Sequence, residues 1–187
     1  MQKGDYLDTI LRSDKTVFTL KDIVLLWKND DIDSARVRLN YYVKKGRLLR
    51  LRRGVYVKDN NYDKLELATR IFTPSYVSFE TVLARDGLIF QYQTGITVAS
   101  YLSRDIIIDK QAYSYRKIKD ALLTNSTGIW QTDNRAIASK ERAFLDMLYS
   151  NTHYHFDNLR SLDWEAVHFL VTLYDNKRLI KKVNQLF

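Results

Sequence analysis

Two periods of apolar and polar positions follow one another along the first sixty residues. Tyr6, Leu7, Ile10 and Leu11 recur at helical spacing, and the run breaks near Ser13-Asp14. Leu20, Ile23, Val24 and Trp27 repeat that spacing behind Thr19 and Asp22, a hydroxyl and a carboxylate three apart that form a capping box. After a polar turn at 28–31, Asp33 reads as the N-cap of a third helix running to about Lys45, with Gly46 ending it. The period then falls to two. Over 48–57 apolar and basic residues alternate into a turn at Arg53-Gly54, which predicts a hairpin.

Beyond Lys58 the polar run Asp59-Asn60-Asn61 is the expected domain boundary. A short helix follows over 65–72, then a breaker at Thr73-Pro74-Ser75. Ser78 reads as the N-cap of a helix over 79–85 that Gly87 stops. Strands are expected at 96–101, 106–108, 112–118 and 129–131. A strong helix is expected over 139–149 with Ala143, Phe144, Met147 and Leu148 on one face, then two closing helices at 164–174 and 177–187. The fold class read from this order is α+β. A winged helix-turn-helix over 1–58 precedes a small mixed α/β domain over 59–187 that ends in helices.

Charge singles out the first of these parts. Residues 1–58 hold fourteen Lys/Arg against seven Asp/Glu, whereas residues 59–187 hold sixteen against fifteen. Nine basic residues and no acidic one lie between Arg36 and Lys58. Charge packed onto one helix and one hairpin is the footprint of a polyanion-binding surface. Setting Ala35 at 0° and stepping 100° per residue, Ala35, Leu39, Tyr42 and Val43 form an inward stripe. Val37, Asn40, Tyr41 and Lys44 point the other way, flanked by Ser34 and Arg36. Asn pairs two-pronged with adenine and Arg with guanine, an apolar group meets the thymine methyl, and Lys holds phosphate. Taken alone, this helix reads equally well as an ordinary amphipathic one with a solvated basic face.

The hairpin decides between those readings. Alternation puts Leu49 and Leu51 on one face and Arg50 with Arg52 on the other, with Arg53 at the tip. Helix, turn, helix and a basic two-stranded wing is the order of a winged helix-turn-helix, in which the third helix enters the major groove and the wing follows the backbone. The expected partner is double-stranded DNA, held by Ser34, Arg36, Val37, Asn40, Tyr41, Lys44, Arg50, Arg52 and Arg53. One winged helix reads a short half-site, so pairing of two copies on an inverted repeat is expected. Winged helices that contact only protein are the competing class.

Other chemistry is poorly represented. There is no cysteine, which removes disulfides, thiolate metal ligands and thiol catalysis. No apolar run reaches the length of a membrane span and the first residues have no export-signal core, so a cytoplasmic protein is expected. His153 and His155 with Asp157 sketch a metal site but read better as a polar surface loop, and His168 as a packing residue. Asp175-Asn176-Lys177 has the carboxylate-x-lysine form of some nucleases, yet falls between two helices. With no phosphate-binding glycine loop and no nucleophile elbow, neither enzyme activity nor a cofactor is expected.

Three blocks of the sequence resemble a known family. Gly46, Arg47 and Leu48, on through Arg53, Gly54, Val55 and Tyr56, are similar to the wing of the AbiEi-type antitoxins of type IV toxin–antitoxin systems. The run from Pro74 and Ser75 to Leu83, with Gly87-Leu88-Ile89, resembles the first motif of their second domain. The run from Ile137 to Tyr149 resembles the second. The resemblance implies a winged helix that binds inverted repeats in its own promoter and represses it. It also implies a C-terminal domain that counteracts a co-encoded nucleotidyltransferase toxin, with or without direct contact. Within the two motifs Ser78, Glu80, Ser139, Glu141 and Arg142 are the polar residues of interest. The alternative is a winged-helix regulator whose second domain senses a ligand or partner, with no toxin.

Overall fold

The computed structural model describes residues 5–28, 31–91, 93–132 and 134–187. Two compact units divide the chain, Met1–Ile71 and Phe72–Phe187.

In the first unit the order is α1 (Asp5–Arg12), β1 (Val17–Thr19), α2 (Leu20–Trp27), α3 (Ile32–Lys44), β2 (Leu49–Arg52), β3 (Val55–Val57) and α4 (Lys64–Ile71). The apolar stripes of α1, α2 and α3 meet Phe18, Leu48 and Tyr56 in one core that also holds Ile10, Ile23, Trp27, Ala35, Leu39 and Tyr42. Burial of these side chains supplies the main drive for the unit to fold. Trp27 keeps its polar edge satisfied, because its Nε1–H donates to the Tyr6 carbonyl at 2.8 Å.

The capping box forms as expected. The Asp22 amide donates to Thr19 Oγ1 at 3.1 Å, and the Thr19 amide donates to Asp22 Oδ2 at 2.9 Å. α3 begins earlier than expected, since its N-cap is Asp31 rather than Asp33. The Asp31 carboxylate accepts from the amides of Asp33 and Ser34, so Asp33 becomes a first-turn acid favoured by the helix dipole. The polar turn expected before it lies partly outside the described residues. At the other end Gly46 takes φ +65°, letting its amide reach the Val43 carbonyl and that of Arg47 the Tyr42 carbonyl. This left-handed C-terminal cap stops the helix and turns the chain into the wing.

The wing is a β2–β3 hairpin turning at Arg53-Gly54, and β1 adds to its other side to give the order β1-β3-β2. A register shift between Arg50 and Arg52 twists β2 locally. α4 packs with this unit through Glu66, which accepts from the Thr16 amide at 2.9 Å and the Thr16 hydroxyl at 2.6 Å. The run 59–61, expected as a boundary, is therefore an exposed stretch inside the first unit.

The second unit is built on a six-stranded mixed sheet in the order β6-β7-β5-β4-β9-β8. Its strands are β4 (Ser75–Val77), β5 (Ile96–Ser100), β6 (Arg104–Ile108), β7 (Gln111–Lys117), β8 (Ile129–Gln131) and β9 (Ala136–Ala138). β4 sits centrally, antiparallel to β5 and parallel to β9. The helices are α5 (Glu80–Arg85), α6 (Asp120–Leu123), α7 (Lys140–Ser150), α8 (Trp164–Val171) and α9 (Lys177–Leu186), with a 3-10 turn at Thr172–Tyr174 between the last two. α7 is buried on every side from Glu141 through Leu148, where one buried face was expected. Helix α5 also differs from expectation. It starts at Glu80 behind Phe79 with no side-chain cap, and Ser78 is engaged elsewhere. No described helix is long and apolar enough to cross a membrane.

Candidate nucleic-acid interface

The inward stripe of α3 is buried at Ala35, Leu39 and Tyr42 and packed at Val43. Helical spacing then forces the opposite face outward. Ser34, Arg36, Val37, Tyr41 and Lys44 are exposed and Asn40 is half-buried. On the wing, Arg50, Arg52 and Arg53 are all exposed, while Leu49 and Leu51 are half-buried on the other face of β2.

The structure divides these residues among two surfaces. Arg36 and Asn40, one helical turn apart, line a hollow of about 580 Å³ whose other wall is the wing, with Arg50, Arg52 and Arg53. A planar amide and a guanidinium thus share one concavity with three more guanidinium groups. Cations held this close favour a polyanion, and the fork geometry of Arg suits phosphate oxygens and guanine edges. Arg36 now holds Asp33 at 2.7 Å in an exposed pair that a base edge can displace at little cost. Ser34, Val37 and Tyr41 lie further round the helix and line a different groove against α1. Lys44 is exposed but lines neither.

The scaffold beneath is braced electrostatically at Asp22. Burial pushes its carboxyl up, but hydrogen bonds from Thr19 and the charges of Arg70 and Lys15 outweigh that and hold it below the usual value. Arg70 lies 3.3 Å from Asp22 and Lys15 3.4 Å. The same carboxylate therefore caps α2 and anchors α4.

Two motif residues of the second unit, Ser78 and Arg142, meet in a buried network. Arg142 and Asp146, one turn apart on α7, are fully buried and lie 3.4 Å from each other. Arg142 donates to the Leu122 carbonyl at 2.8 Å, the Thr127 carbonyl at 3.0 Å and the Tyr76 hydroxyl at 3.1 Å. Asp146 accepts from Tyr174 at 2.6 Å, Ser78 at 2.8 Å and Tyr76 at 3.0 Å. Burial, and then the Asp146 charge, push the Tyr76 and Tyr174 hydroxyls well above their usual range, so both remain donors. Ser139 caps α7 by accepting from the Arg142 amide, and Glu141 accepts from the Asp163 amide. Glu80 holds Arg116 at 2.7 Å, and that guanidinium lies over the Phe79 ring. Phe79 itself takes φ +55° and ψ −139°, a strained conformation for a non-glycine residue. Its ring is completely buried.

Of these five residues, Ser78 and Arg142 join the two motifs into one core, Ser139 caps α7, and Glu80 and Glu141 are engaged by Arg116 and the Asp163 amide. Asp146, Tyr76 and Tyr174 complete the network and were not singled out from the sequence. Opposite charges at i and i+4 in an apolar helix were the available signal for Asp146. Among the described residues no group of His, Asp and Glu side chains is arranged to hold a metal ion. Asp175 and Asn176 form the turn into α9, with Asn176 as its N-cap.

Residues 5–57 match the family model described as "Transcriptional regulator, AbiEi antitoxin". No curated protein matches the chain. The matched segment runs from α1 to the end of β3 and therefore contains the whole hollow between α3 and the wing. The resemblance read from the sequence is thus met in its first module, where residues 5–57 are similar to the AbiEi antitoxin transcriptional regulators.

Proposed function

We propose that the chain is an operator-binding autorepressor and the antitoxin of a type IV toxin–antitoxin system. In this reading the first unit binds inverted repeats upstream of its own gene. The second unit counteracts a co-encoded nucleotidyltransferase toxin. The observation that carries the DNA half is the shared hollow of Arg36, Asn40, Arg50, Arg52 and Arg53 in a module matching a regulator family. Arg36 and Asn40 read bases and the wing arginines hold the backbone. The antitoxin half rests on the family match and on the resemblance of the two later motifs.

Duplex binding by fluorescence anisotropy tests the first half. The DNA upstream of the gene should bind at least a hundredfold more tightly than a scrambled duplex at equal salt. Arg36→Ala or Asn40→Ala should cost about 1–3 kcal/mol on the operator and much less on random DNA. Equal binding to both duplexes would sink the base-reading role. Co-expression with the neighbouring nucleotidyltransferase-like gene tests the second half. Growth arrest relieved by this chain supports it, and a harmless neighbour favours a regulator that senses some other partner.

A further inference from the structure

The acid-free basic stretch begins just behind two carboxylates, Asp31 and Asp33. Asp31 is occupied locally. It accepts from the amides of Asp33 and Ser34, at 3.0 and 3.1 Å, and from the Ser34 hydroxyl. Asp33 is placed differently. With Ala35 at 0°, it falls at about 160° on the outer face of α3, between Asn40 at about 140° and Lys44 at about 180°. Its side chain is 86 % exposed and holds Arg36 at 2.7 Å. It also stands in the first turn of α3, and the first residues of a groove-entering helix are those that meet base edges.

A carboxylate at that place works against DNA binding in general, because it faces phosphate charge. When a guanine edge takes Arg36, Asp33 also loses its counter-charge. The major groove offers few donors to replace it. Guanine N7 and O6 and thymine O4 are acceptors that repel a carboxylate, whereas cytosine N4 and adenine N6 carry amino protons. The adenine amino group lies beside the N7 acceptor, and cytosine presents its donor with no acceptor next to it. Asp33 and Arg36 differ by about 60° around α3 and about 4.5 Å along it, so they address neighbouring base pairs. We propose that Asp33 determines specificity by accepting a hydrogen bond from a cytosine amino group, in the base pair next to the guanine held by Arg36. This role rests on α3 being the base-reading helix. Because every edge without a donor repels the carboxylate, Asp33 narrows the choice of site without tightening binding overall.

Selection of duplexes from a randomised pool by the full chain tests this role, followed by anisotropy titrations of every single-base variant of the selected site at fixed salt. The wild type should select a cytosine next to the guanine whose preference Arg36→Ala erases. Replacing that cytosine with thymine or guanine should weaken binding about tenfold. Asp33→Ala should erase the preference at that one position and keep the guanine preference. It should bind a scrambled duplex at least as tightly as the wild type, with unchanged far-UV circular dichroism. Asp33→Asn should move the preference from cytosine to adenine, because an amide pairs two-pronged with adenine. A carboxylate that only repels DNA would change affinity for all sequences alike and move no preference. A selected site without that cytosine, or an Asp33→Ala profile that keeps the wild-type preference at every position, would overturn the role. If Arg36→Ala and Asn40→Ala each erase a base preference and Asp33→Ala erases none, the operator reading stands and the role of Asp33 falls. If none of the three changes any preference, both fall.

Discussion

Two carboxylates organise this protein at the scale of single residues, and they respond differently to change. Asp146 is fully buried with Arg142, three hydroxyl groups donate to it, and Arg142 donates to two carbonyls besides. Removing one member leaves the other charged and stranded. Arg142→Met should therefore destabilise the second unit by about 3–5 kcal/mol. Ser139→Ala, which removes only the cap of α7, should cost about 1 kcal/mol, and urea unfolding of the two variants compares them directly. Asp22 is only partly buried, and its carboxyl is held below the usual 3.8. Its contribution is thus complete above that unfolded value and is lost as pH falls through the lower folded one. An acid titration of thermal stability should show a shallower decline below pH about 4 in Asp22→Asn than in the wild type, from a lower starting point.

At the scale of elements, legibility in the sequence followed the length of the pattern. Helices α1, α2 and α3 each carry an apolar stripe over two turns or more, and each is placed by it to within a few residues. The wing was legible because Leu49, Leu51, Arg50 and Arg52 alternate cleanly. β1, β4 and β9 span three residues each, too few for alternation to register, and tertiary pairing alone makes them strands. Ser78 misled for a definite reason. A serine before a helical run reads as a cap, but the strained turn at Phe79 sends its hydroxyl to Asp146 instead. The same limit applied on α3, where a helical wheel separates inside from outside but cannot divide the outer face between wing and α1. The wing yields its own test. Arg52→Ala with Arg53→Ala should weaken binding to any duplex and lower the slope of log K against log salt by about 2, whereas Asn40→Ala should leave that slope unchanged.

For the molecule as a whole, the division after Ile71 predicts which fragments stand alone. Leu67 and Ala68 are fully buried, and the Glu66 carboxylate accepts from both the Thr16 amide and the Thr16 hydroxyl. A fragment of residues 1–71 should unfold cooperatively, while one of residues 1–58 should have a midpoint lower by 10 °C or more, on the order of 2 kcal/mol in a domain this small. Equal midpoints would restore the boundary to the polar run at 59–61. The double duty of Asp22 carries a mechanical corollary. Arg70 lies within one residue of the point where the chain leaves the first unit, and it grips the carboxylate that caps α2. Tension on the chain at Ile71 therefore loads the start of the helix that buttresses α3. Whatever pulls on the chain at Ile71 has, through one ion pair, a handle on the firmness of the winged-helix module.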